Sequence, residues 1–164
     1  VRSASALYHK AFEMNLSLPQ RKTLIHDIPS WIGSEGVFFI TVCTLPRGVN
    51  TLCHPRFAER IWDSLSYRQE RKEWYIHLML LMPDHLHTLA SFPPTKQMTT
   101  MIRSWKRYLA KDLRIKWQRG FFDHRLRRSE SLQQKTEYIV HNPVRAGLVL
   151  APNDWPYIWR GTSI

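Results

Sequence analysis

"LLMPDHLHTLASF" occupies residues 80–92, and its reading decides the fold. It continues the apolar run "WYIHLMLLM" (74–82) through Pro83 and Asp84 into "HLHTLASF" (85–92). Two such runs joined by two turn-forming residues read as a β-hairpin. The first run is apolar on both alternating faces, as a central strand is. The second places His85 and His87 at i and i+2, so both imidazoles project from one face. They stand about 7 Å apart along the backbone, at ~3.4 Å per residue. With a two-residue turn, alternation sends His77 to the opposite face. An apolar strand carrying two same-face imidazoles, with Asp84 just before them, needs a chemical reason.

The flanking segments supply the rest of the architecture. "GVFFITVCTL" (36–45) is β-branched and aromatic, hence a strand. Residues 55–72 carry Phe57, Ile61, Leu65 and Trp62 against a charged opposite face, which predicts an amphipathic helix. After the Pro93-Pro94 break, Met98, Ile102, Trp105, Leu109 and Leu113 mark one face of a second helix. Residues 121–127 read as a short strand and 131–142 as a third helix, with Ser131 and Gln134 forming a capping box. Pro143 ends or kinks that helix at Asn142, and "NPVRAG" starts a short further turn. The order strand–helix–strand–strand–helix–strand predicts a ferredoxin-like α+β sandwich, with helices packed on a mostly antiparallel sheet. Residues 1–35 read as an N-terminal arm of loops, and 36–160 as one domain including a C-terminal tail.

Lys and Arg number 24 against 13 Asp and Glu, a net charge of +11 over 164 residues. That excess points to a polyanion as partner. The positive charge concentrates in "RSWKRYLAKDLRIKWQR" (103–119) and "RLRR" (125–128). Arg103, Lys106, Arg107, Lys111 and Arg114 lie largely off the apolar helix face, and with Arg125, Arg127 and Arg128 they are candidate clamps for a nucleic-acid backbone. Trp105 belongs to the core by helical spacing. The two cysteines, Cys43 and Cys53, fit neither a metal motif nor a disulfide framework, so a reducing cytoplasm is expected. No apolar run reaches the roughly 18 residues of a membrane span.

Two same-face imidazoles can grip one divalent ion, although His-x-His also occurs in zinc hydrolases, which need further ligands. Tyr138 and Asn142 are i and i+4 and share a helix face. A phenol and an amide oxygen near two imidazoles suit phosphodiester chemistry. The phenol attacks phosphorus, the metal polarises a non-bridging oxygen, and the amide adds an oxygen ligand.

"MPDHLH", "WQRGFFDHRLR", "EYIVHNPVRAGLV" and "NDWPYIW" occur in this order across residues 82–159. In order and spacing the set resembles the REP-associated tyrosine transposases, domesticated relatives of single-tyrosine insertion-sequence transposases in the HUH endonuclease superfamily. The resemblance covers roughly residues 36–160. It implies the same ferredoxin-like fold, and His85 and His87 as ligands of a catalytic divalent ion, Mg²⁺ or Mn²⁺. Tyr138 would be the nucleophile, forming a 5′-phosphotyrosine link on single-stranded DNA and releasing a 3′-hydroxyl. Asn142 stands where relatives place a third polar metal ligand, often Gln. The implied partner is a repetitive extragenic palindrome (REP), a short DNA hairpin. Monomer and homodimer both remain open.

Two competing readings differ in class. A non-catalytic nucleic-acid-binding module would expose aromatics on the sheet face and pack Tyr138 away. A small zinc hydrolase would need a third nitrogen or acid ligand beside His85 and His87. "NDWPYIW" is compatible with docking on the core or with reaching DNA.

Overall fold

A computed structural model describes residues 36–127 and 131–161. The expected arm at 1–35 and Arg128 lie outside them. Five strands make one antiparallel sheet: β1 (Phe38–Cys43), β2 (Tyr75–Met82), β3 (His85–Ser91), β4 (Phe122–Arg125) and β5 (Ile158–Arg160), in spatial order β4-β1-β3-β2-β5. The helices are α1 (Pro55–Glu70), α2 (Met98–Leu113), α3 (Leu132–Val140) and the single turn α4 (Asn142–Arg145). The first four strands have the ferredoxin-like order. β5 extends the sheet, so "NDWPYIW" docks: Trp155 and Tyr157 are buried, and the Trp155 indole N–H donates to the Leu81 carbonyl at 2.9 Å. Among the described residues no helix is long and apolar enough to cross a membrane.

The two faces of the sheet are covered unequally. Ile40, Val42, Leu86, Thr88 and Ala90 alternate onto one face and are all buried. That face carries α1 and α2. Trp105 on α2 meets Trp74 edge-on at 5.6 Å, Trp74 meets Phe92, and Phe92 meets Phe38. The Trp105 indole N–H donates to Ser64 Oγ on α1, which removes the cost of burying it. Phe39, Thr41, His85, His87 and Leu89 alternate onto the other face. There Phe39, Thr41 and both histidines are only half-buried. This second face receives α3.

Met82 pairs with His85, so Pro83 and Asp84 form the expected two-residue turn. Segment 44–52 caps it: the Pro83 carbonyl accepts from Thr51 and Leu52, and the Asp84 carbonyl accepts from Thr44. A bulge between Ile76 and Leu78 breaks the alternation of β2, which corrects the expectation for His77. His77 Nε2 and the Ser91 hydroxyl share a hydrogen bond of 2.9 Å, and Ser91 lies on the face of His85 and His87.

Candidate active site on the open face of the sheet

The imidazole pair is fixed from behind. His85 donates from Nδ1 to Asp84 Oδ1 at 2.7 Å. Asp84 is itself held through Oδ2 by the Gly48 N–H at 2.6 Å and by Arg47 Nε at 3.2 Å. Burial pushes the Asp84 carboxyl up, but the Gly48 N–H, His85 and Arg47 outweigh it and hold its pKa below the ordinary value. His87 Nδ1 and the Thr41 hydroxyl share a bond of 2.9 Å. Burial, with the nearby His85 and Arg145, lowers the His87 pKa from 6.5 to about 3, so the ring is neutral. With Nδ1 of each ring engaged, Nε2 is the atom that each ring has left for a ligand. The ring centroids lie 4.9 Å apart.

A polarised carboxylate–histidine pair and a hydroxyl-anchored neutral histidine are the arrangement that metal-binding imidazoles use. The donor set therefore fits a divalent ion. Among the described residues no third His, Cys, Asp or Glu joins the pair, as a closed zinc site of such ligands would require.

Tyr138 reaches the same face from α3. Ser131 caps that helix, its Oγ accepting the Gln134 N–H at 3.0 Å, which is the first half of the expected capping box. Buried Ile139 anchors α3 to the sheet, while Tyr138 is 52% exposed. Phe39 connects the two halves of the site. Its ring stacks on His87 at 5.4 Å and meets Tyr138 edge-on at 6.5 Å. Two cations flank the phenol: Lys135 Nζ lies 5.5 Å and the Arg145 guanidinium 4.4 Å from its centroid.

Helix α3 ends at Val140 with His141 as its cap, and Pro143 sits in the first turn of the separate α4, where its missing N–H costs nothing. Asn142 thus begins α4 instead of ending α3. Arg145, one turn on, donates from Nη2 to both the Tyr138 carbonyl and Asn142 Oδ1, each at 2.6 Å. The Asn142 amide nitrogen is buried without a partner. The oxygen expected to face a metal is therefore engaged by a guanidinium here.

The Transposase IS200 like family matches residues 41–142, from within β1 to the first residue of α4. A REP-associated tyrosine transposase of Haemophilus influenzae is 30% identical over 139 residues, covering 74% of this chain and 78% of that protein. The chain belongs to this transposase family. The REP-associated tyrosine transposase of Escherichia coli is 27% identical over 85 residues, covering 50% of this chain and 52% of its own length. A solved REP-associated tyrosine transposase, bound to a REP hairpin, shares the fold at a TM-score of 0.66 and 21% identity, covering 87% of this chain and 82% of that one.

In this family member the basic residues divide by location. Arg103, Arg107 and Lys111 are exposed on α2, and Arg114 is exposed at its C-cap. They stand on the far side of the sheet from Tyr138 and the histidine pair. Arg125 pairs with Phe38 in register, so it too alternates away from the site, and its guanidinium lies over Gly36. Arg127 is exposed just beyond β4. Lys106 requires a correction. It is 7% exposed, and its ammonium donates to the carbonyls of Gln118 and Gly120 at 2.7 and 2.8 Å. A lysine tied to the 118–120 loop is not free to clamp a phosphate. The sequence reading missed Phe39, Thr41, Lys135 and Arg145 at the site. Spacings of three and seven residues from Tyr138 and Asn142 were the available signal for Lys135 and Arg145.

Proposed function

We propose that residues 36–160 form a divalent-metal-dependent endonuclease and strand transferase for single-stranded DNA, acting beside REP-type hairpins in the cytoplasm through Tyr138. The observation that carries this reading is the Phe39 ring, which stacks on His87 and touches an exposed Tyr138. Phenol and imidazole pair thereby share one open face. The binding-module reading expects Tyr138 to be packed away, and it is 52% exposed.

His85 and His87 would hold Mg²⁺ or Mn²⁺, which supplies polarisation of a non-bridging phosphate oxygen when bound. Asn142 would add its oxygen once Arg145 releases it. Thr41 and Asp84 keep both imidazoles oriented. The Tyr138 oxygen forms a bond to phosphorus as the bond to the 3′ oxygen breaks. The phenol proton is lost and the departing 3′ oxygen gains one. The DNA 5′ phosphate stays on the tyrosine, and attack by a 3′-hydroxyl reverses the step without an external energy source. Lys135 and Arg145 place positive charge beside the phosphate that the phenol approaches. The α2 cations act at longer range on the DNA backbone.

The test is a denaturing gel after incubation with a REP hairpin and Mn²⁺. The wild-type protein yields a covalent protein–DNA adduct. Tyr138→Phe yields none and binds the hairpin nearly as well, because only the attacking oxygen is gone. An adduct in the Phe variant would place the nucleophile elsewhere, with exposed Tyr108 the next to examine.

A further inference from the structure

Phe122 is 58% exposed on the edge strand β4, and none of the chemistry above uses it. A single exposed apolar side chain is ordinary by itself. Its position is not. The register pairs Phe122 with Thr41, Thr41 with His87, and His87 with Leu80, so the four residues form one row across the open face. Thr41 in that row is the residue bonded to the His87 ring. The Phe122 ring meets Phe39 edge-on at 6.2 Å, and Phe39 in turn meets His87 and Tyr138. An aromatic path thus runs from the sheet edge to the phenol. Lys135 Nζ lies 5.3 Å from the Phe39 centroid, so a cation stands beside the path.

We propose that Phe122, buttressed by Phe39, is a stacking platform for an unpaired base of the strand that Tyr138 attacks; this rests on the reading of the site as a single-strand nuclease. Flat aromatic surface flanked by cations matches the two chemical parts of single-stranded DNA, its base faces and its phosphates. A protein partner would find two exposed rings, Phe122 and Tyr138, set among positive charges rather than in an apolar patch. Phe122 lies two strands from His87, about 10 Å at ~4.8 Å per strand. At ~3.4 Å per stacked nucleotide, the base belongs to the first three on one side of the reacting phosphate. Stacking tolerates any base, so the platform sets how the strand lies, while sequence is read elsewhere.

The experiment is a double cycle between protein and DNA, run in the Tyr138→Phe background so that binding is measured without cleavage. The probe is a REP hairpin with single-stranded flanks, carrying an abasic site at each of the three nucleotides on either side of the cleavage point in turn. At one position the abasic site weakens binding roughly 5- to 100-fold, the range of a lost base–aromatic stack. Phe122→Ala weakens the intact hairpin equally, and the two changes together cost no more than either alone. Phe122→Tyr retains affinity and Phe122→Leu does not, which separates stacking from apolar contact. 2-Aminopurine at that position is quenched by the protein and not by the Ala variant. Losses that add at every position, or quenching that survives Phe122→Ala, overturn the platform. If wild-type protein still forms the adduct in that case, the nuclease reading stands without it. If no hairpin is bound or joined, both fall together.

Discussion

Asp84 shows how much one short side chain can organise. One carboxylate oxygen orients His85, and the other holds the Gly48 N–H and Arg47, so one side chain ties segment 44–52 to the histidine strand. Thr41 does the same for His87 with one hydroxyl. Losing such partners typically weakens metal binding by roughly 10- to 100-fold. Asp84→Asn and Thr41→Val should each lower Mn²⁺ affinity by about that factor in a titration followed by electron paramagnetic resonance. Unchanged isotherms in both would show that the ligands need no such support. Arg145 works through geometry of another kind. Its Nη2 reaches two oxygens while the guanidinium carbon lies 4.4 Å from the Tyr138 centroid, and a compact ammonium lacks the extended planar group that spans both. Arg145→Ala should slow adduct formation at saturating hairpin, and Arg145→Lys should fail to restore it. Full rescue by lysine would reduce the role to charge alone.

At the scale of elements, the bulge in β2 has a measurable consequence. It turns His77 toward Ser91 and the Tyr75 ring, where burial lowers its pKa from 6.5 to about 4. The folded chain therefore binds fewer protons than the unfolded chain between those values. Stability from this residue is fully present above about pH 6.5 and is lost as pH falls toward 4. The loss should be on the order of 1–2 kcal/mol by pH 5. Chemical denaturation at pH 7 and pH 5 checks this, because His77→Gln should lose less stability than wild type over that interval. An equal loss in both proteins would assign the acid sensitivity to other groups. Helix α3 shows the opposite relation, a local signal whose N-cap survives in the fold. Ser131 caps it as the sequence indicated, since a cap depends on residues three apart and on little else.

At the scale of the molecule, the sheet separates two sets of positive charge. Lys135 and Arg145 flank Tyr138, while Arg103, Arg107, Lys111 and Arg114 stand behind the opposite face. The two sets should therefore answer different measurements. If about six phosphates are neutralised, log K should fall with log salt at a slope of roughly −4 to −5. Arg107→Ala should flatten that slope by about one unit and leave the adduct-forming rate at saturating DNA unchanged. Lys135→Ala should lower the saturated rate. A cleavage defect at saturation in Arg107→Ala would mean that DNA wraps around the sheet edge and couples the two sides.

The sequence by itself determined β1 to β4 and the three long helices, their order and the shared face of His85 and His87, because those follow from periods of 2.0 and 3.6 residues in short windows, whereas β5 was not read. Its ordered motifs also carried the family. Tertiary structure alone decided which side of the sheet each helix covers. It thereby placed the basic stripe of α2 away from Tyr138 and buried Lys106 on the 118–120 carbonyls. It also decided the cross-strand row Phe122–Thr41–His87–Leu80. The physical reason is common to all of these. Register, side of packing and the reach of a long cation depend on pairings between residues far apart in the chain, and no local period encodes them.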